Sequence, residues 1–317
     1  MSSFIDRCYN EQSANSFLNS CKVLMNKIDA DRKFYDEGFK DQQFLIFSGM
    51  LSYYGYFYLD EIVKAFKETE FFYVSIDYED FKRENPEFAV EFAENPIALT
   101  RRAVALELLP PRLVSDNTIW LFVQNDCSDI EWLEIVAHEI NHIVNSINKS
   151  LAVRWFDVIG RTGCSLYSNR IDARGGLVFE ESVNVLQTAE IMNHILGFLN
   201  FDIHDEEIRG AFDKYRNYLG EKRKGIGYTR SVPYIRELYQ QPSFNDILVL
   251  SRLNGNLDEL KEHFEGKTYV GAYNDLLEAM DKFYFCTTLE DEKIGKEKVK
   301  ELTKRYNNLY EGDDFNV

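Results

Sequence analysis

The chain has 317 residues, of which 45% are hydrophobic, with 24 Phe and 19 Tyr; that is ample material for a core and excludes a disordered protein. Its formal net charge of −17 repels phosphate backbones, and short basic clusters such as Glu221-Lys-Arg-Lys224 do not offset this, so nucleic acid is excluded as the expected partner. No apolar run approaches the ~18 residues that span a bilayer, so no membrane span is expected.

The N-terminus, Met1-Ser-Ser-Phe-Ile-Asp-Arg-Cys8, lacks the apolar segment and small-residue cleavage pattern of a signal peptide. Five widely spaced cysteines (Cys8, Cys21, Cys127, Cys164, Cys286) form no CxxC pair, which suits reduced thiols. The expected location is cytoplasmic, although export of an effector without a signal leaves no mark in a sequence.

In chain order, Phe17, Leu18, Cys21, Leu24, Met25 and Ile28 recur at helical spacing and predict an amphipathic helix over 11–29. The Phe-, Tyr- and Leu-rich stretch 43–69 contains Ser52-Tyr-Tyr-Gly-Tyr-Phe-Tyr58 and reads as packed aromatic core or strand, with a binding surface as the alternative. Phe71–Asp77 reads as a strand. Asn85-Pro86 and Asn95-Pro96 each read as the opening of a helix. Asn117-Thr-Ile-Trp-Leu-Phe-Val-Gln124 is a second strand, Asn125–Asp129 offers N-caps, and a helix follows over 130–147. Residues 159–176, with Gly160, Gly163, Gly175 and Gly176, read as a long loop. Helices are expected over 178–199, 205–219, 256–282 and 289–310, with a frayed tail after them.

The helix over 130–147 carries His138-Glu-Ile-Asn-His142. Positions i and i+4 of a helix lie one above the other, so both imidazoles face one side and can grip one Zn²⁺ beside Glu139. The flanking positions 135, 136, 140, 141, 143 and 144 are uncharged, as a helix buried beneath a metal cleft requires. A catalytic zinc takes three protein ligands and keeps one position open. The continuation Ile143-Val-Asn-Ser-Ile-Asn-Lys149 contains neither the glycine nor the third histidine of a metzincin. A glutamate on the next helix is the remaining source, and Glu180 and Glu181 compete for the role. Glu180 is preferred, because Asn184 lies one turn on and its amide oxygen can accept the second N–H of a ligating histidine. Position i+4 from Glu181 is Val185, which cannot.

These two segments, His138-Glu-Ile-Asn-His142 and Glu180-Glu-Ser-Val-Asn184, resemble the gluzincin metallopeptidases, a group that includes thermolysin-like enzymes, the catalytic domain of anthrax lethal factor and clostridial neurotoxin light chains. The likeness covers roughly residues 117–195. It implies a zincin-like fold, and the order of elements along the chain gives an α+β class in one catalytic unit of two lobes: a mixed α/β lobe over 1–147 ending in the histidine helix, and a mainly helical lobe over 148–317 carrying the third ligand. It implies a zinc-dependent endopeptidase with His138, His142 and Glu180 on the metal, Glu139 as general base, and a protein or peptide substrate. The donor for the oxyanion is expected to be Tyr228, with Tyr167, Arg174, Arg230 and Tyr234 as further candidates. The Arg–Tyr pair of neurotoxin light chains is three apart, whereas Arg230 and Tyr234 are four apart. His194 and His204 are expected at the surface or at caps. An inactive zincin-like binding protein, or a zinc hydrolase of a non-peptide bond, are the alternatives.

Overall fold

The computed structural model describes residues 10–32, 39–74, 80, 83, 98–101, 117–122, 128–145, 151–154, 157–162, 164–168, 175–220 and 230–311, with backbone alone for 70–74, the later strands and 308–311. Both Asn-Pro helix openings, Tyr228, Arg174 and the tail after Glu311 lie outside the described residues. The chain divides into two compact units, one of Ser2–Val144 with Thr188–Lys224, the other of Asn145–Gln187 with Gly225–Val317. The expected lobes changed over once, at 147. Instead the chain passes into the second unit, back into the first and out again.

The first unit opens with α1 (Glu11–Asp31), α2 (Lys40–Tyr54) and α3 (Leu59–Glu68), which pack on one another. Asn10 caps α1, its side-chain oxygen accepting from Ser13 N at 2.9 Å, and Phe17, Leu18, Cys21, Met25 and Ile28 form the buried face that the spacing predicts. The stretch read as packed core or strand is α2, a 3₁₀ turn over Tyr56–Tyr58, and α3. Every residue from Gln43 to Ser52 is buried, so α2 has no polar face and no helical periodicity for the sequence to display. Gly55, at φ +84°, ends it in a conformation that costs other residues. Phe47 meets Phe66 edge to face at 5.3 Å between centroids, locking α2 to α3.

β1 (Thr69–Val74), β2 (Ala98–Arg101) and β3 (Asn117–Phe122) form a ladder in which β1 pairs parallel and β2 antiparallel to the central β3. α4 (Asp129–Val144) follows β3. In the second unit β4 (Leu151–Arg154), β5 (Asp157–Thr162) and β6 (Ser165–Ser168) make an antiparallel meander. That corrects the expected loop over 159–176: glycines and polar residues suggested irregular backbone, but Ile159–Thr162 pairs with Ser165–Ser168.

α5 (Leu177–Gly197) begins in the second unit and ends in the first, where α6 (Glu206–Asp213) also lies. The second unit closes with α7 (Val232–Tyr239), α8 (Pro242–Asn254), α9 (Asp258–Gly266), α10 (Ala272–Tyr284) and α11 (Leu289–Glu311). The single helix expected over 256–282 is two, because Gly271 turns the chain at φ +93°. The core of these helices is dense in rings: Tyr306 stacks on Phe264 at 5.4 Å and meets Phe244 at 5.5 Å.

The expected fold class is corrected. The structure is 83% helical, and its strands are short, so the protein is not an α+β fold with a strand-containing N-terminal lobe. The longest strands traced above have six residues, whereas α1 and α5 have 21 each. No helix among the described residues is long and apolar enough to cross a membrane.

Candidate metal centre

Ser128 starts α4 with a capping box: its N–H and its hydroxyl both donate to Glu131 Oε2, at 2.9 and 2.8 Å. The acidic side chains of Asp129 and Glu131 lie in the first turn and His142 in the last, each at the end the helix dipole favours. From Leu133 to Val144 only Glu139 escapes full burial.

His138 and His142 are 6% and 5% exposed, and their Nε2 atoms lie 3.1 Å apart. The helix sets this up, since a separation of four residues stacks the side chains and leaves the rings at 88° with centroids 4.7 Å apart. Two nitrogens each bound to zinc at ~2.0–2.1 Å near the tetrahedral angle stand roughly 3.3 Å apart, so the pair fits one ion. Asn141, between them in sequence and fully buried, accepts the Tyr54 hydroxyl at 2.5 Å, tying α4 to the end of α2. Tyr54 thus bears out the aromatic-core reading of the tyrosine run, while Phe57 in the same run is 98% exposed.

The preferred third ligand is corrected. Glu180 is completely buried in the second unit, where its carboxylate takes two bonds from the Arg252 guanidinium, Nη2 to Oε1 and Nε to Oε2. Its Oε2 also accepts Cys164 N–H at 2.7 Å. Arg252, itself buried, donates through Nη1 to Gln187 and through Nη2 to Asn184 at 3.3 Å. The Asn184 amide oxygen that favoured Glu180 therefore serves Arg252. A buried fork of this kind satisfies both charges at once and commits the carboxylate to structure. The sequence held one sign of it: Arg252 is the sole charge in the apolar run Ile247-Leu-Val-Leu-Ser-Arg-Leu253. Glu181, next in the chain, is half-buried.

Two backbone N–H groups at the start of α5, Gly176 and Val178, donate to Asp281 Oδ2 and Oδ1 at 2.7 and 3.0 Å. Asp281, from α10, therefore caps the helix that carries both glutamates, a role invisible in sequence at separations of 105 and 103 residues. Burial pushes its carboxyl above the usual aspartate value, against the lowering pull of those N–H groups.

Of the oxyanion candidates, Tyr167 is described by its backbone alone. Arg230 is held by Glu292 at 2.8 Å and lies over the ring of Phe283, and Tyr234 packs on that same ring at 5.3 Å; both are engaged with the helices of the second unit. His194 is corrected from a surface residue to a buried one, 6% exposed with Nδ1 at 2.8 Å from Ser52 Oγ. His204 is exposed as expected, pairing with Glu11 at 2.7 Å. The described cysteines, Cys21, Cys164 and Cys286, are free, and burial pushes the Cys21 thiol up to about 12.

No family model, no curated protein and no solved structure matches this chain.

Proposed function

We propose that the protein is a zinc-dependent peptidase in which His138, His142 and Glu181 hold the ion and Glu139 is the general base. The observation that carries this reading is the buried imidazole pair with Nε2 atoms 3.1 Å apart. Glu181 takes the place first expected of Glu180 because Arg252 engages both oxygens of Glu180. A His–His–Glu set is one that a catalytic zinc accepts, with one donor atom from each residue.

When bound, zinc supplies a Lewis acid that polarises a carbonyl and acidifies water. The chain's own residues do the rest. Glu139, half-buried and next to His138 on α4, would serve as the base that takes a proton from water and returns it to the leaving amine. Asn141 and Tyr54 tie α4 to α2 at that point through their bond of 2.5 Å. The net charge of −17 favours basic segments of a protein or peptide substrate.

Zinc content of the purified chain and cleavage of a peptide library test the reading together. Wild type is expected to carry one zinc and to cleave. Glu139→Gln should keep the zinc and lose at least ~100-fold in rate, the usual scale of a general base. His142→Ala should lose both. A wild-type chain without affinity for zinc overturns the proposal.

A further inference from the structure

α7 and α11 border a pocket of about 550 Å³ that lies wholly within the second unit. Tyr234 and Glu237 line it from α7, and Lys300, Thr303, Lys304 and Asn307 line it from α11.

Cations on α11 are generally paired. Lys293, Lys296, Lys298 and Arg305 each lie within 4 Å of a carboxylate, at 3.8, 2.5, 3.8 and 2.9 Å. Lys300 and Lys304 have no carboxylate partner among the described residues, although the chain carries 53 acidic side chains against 36 basic ones. They are four apart, so their ammonium groups face the same way. Lys300 lies over the Tyr234 ring, 5.8 Å from its centroid.

The second observation is polar and buried. Thr303 is 3% exposed, yet its hydroxyl makes no hydrogen bond among the described residues, and neither does Asn307 Oδ1 in the same lining. Elsewhere in this chain such hydroxyls turn back on the preceding turn: Thr268 donates to Phe264 O at 2.7 Å and Thr69 to Ala65 O at 2.6 Å. A buried hydroxyl that forgoes this bond while lining a cavity is placed for a partner inside it.

We propose that this pocket binds a small organic phosphate. A phosphate monoester carries about −1.5 to −2 charges near neutrality, which two adjacent ammonium groups match. Thr303 donates to a phosphate oxygen. Asn307 Oδ1 and Glu237 accept from hydroxyls on the organic part, and Tyr234 gives it a flat wall. The proposal does not depend on the metal centre, since it shares no residue with it.

Calorimetric titration of the full chain with ribose 5-phosphate, inorganic phosphate and ribose tests this. Ribose 5-phosphate is expected to bind, inorganic phosphate more weakly and ribose not at all. In Lys300→Gln/Lys304→Gln the affinity for the ester should fall at least ~10-fold, since each charge-assisted bond is worth about that factor. Thr303→Val should raise the melting temperature of the unliganded chain, because it removes a buried hydroxyl without a partner, and should weaken ester binding. Failure of ribose 5-phosphate to bind, binding unchanged in the double variant, equal affinity for inorganic phosphate, or a Thr303→Val chain that binds as wild type overturns the proposal.

Discussion

Glu180 and Glu181 are neighbours of identical chemistry whose environments part their roles. Glu180 is enclosed with Arg252, and removal of either charge leaves the other buried without its counter-ion, a loss of about 3–5 kcal/mol. Glu181 sits one position round α5 and is half-buried. Glu180→Gln should therefore melt well below wild type when both are measured in chelator, whereas Glu181→Gln should cost less stability there than Glu180→Gln does. Zinc binding should respond the other way round, being lost in Glu181→Gln. Equal zinc loss in both variants, at temperatures where each is folded, would return Glu180 to the metal. The two carboxylates could not be told apart in sequence because Arg252, 72 residues on, decides between them.

At the scale of the element, the helices that were legible are those with one wet face. α1 shows its apolar stripe and its Asn10 cap openly, and α4 announces itself by Ser128 and Glu131 before the histidines. α2 is enclosed on all sides, so its aromatic run looks as much like strand as helix. Its packing is close enough to set the sign of a substitution. A Cβ on Gly49 would lie 2.4 Å from Ile195 Cγ1 and 3.1 Å from Ile191 O. Gly49→Ala should thus destabilise the chain by about 1–3 kcal/mol, despite alanine's better helix propensity. Gly210, exposed in α6 with nothing within 4 Å of a built Cβ, should respond oppositely, gaining roughly 0.5–1 kcal/mol on mutation to Ala. Chemical denaturation of the two variants checks both signs, and a stabilised Gly49→Ala would mean α2 does not pack against the end of α5.

For the molecule as a whole, Asp281 links distant segments and couples the fold to pH. Its folded carboxyl titrates above the unfolded value of 3.8, so the folded chain holds the proton more tightly. Its contribution to stability is then full below that value and is lost as pH rises through the folded one. Asp281→Asn cannot titrate, so the gap in melting temperature between wild type and variant should be widest near pH 4 and narrow toward pH 7. A gap that widens with pH would show the N–H groups of Gly176 and Val178 outweighing burial. Asp205 contributes with the opposite sign: its bond to Lys22 holds its carboxyl below the usual range, so its share is present above 3.8 and lost in acid.

What the sequence determined by itself is local. Helical spacing brought His138 and His142 to one side of α4, and caps, glycines and apolar stripes marked most of the helices, because each depends on residues within a turn or two. What only the tertiary structure decided is which buried charges are used up and how much of the chain is helix. Arg252 claimed Glu180, Asp281 capped α5, and the predominance of helix displaced the expected α+β class. The partners in those contacts are far apart in the chain, so only folding brings their charges and hydrogen bonds together.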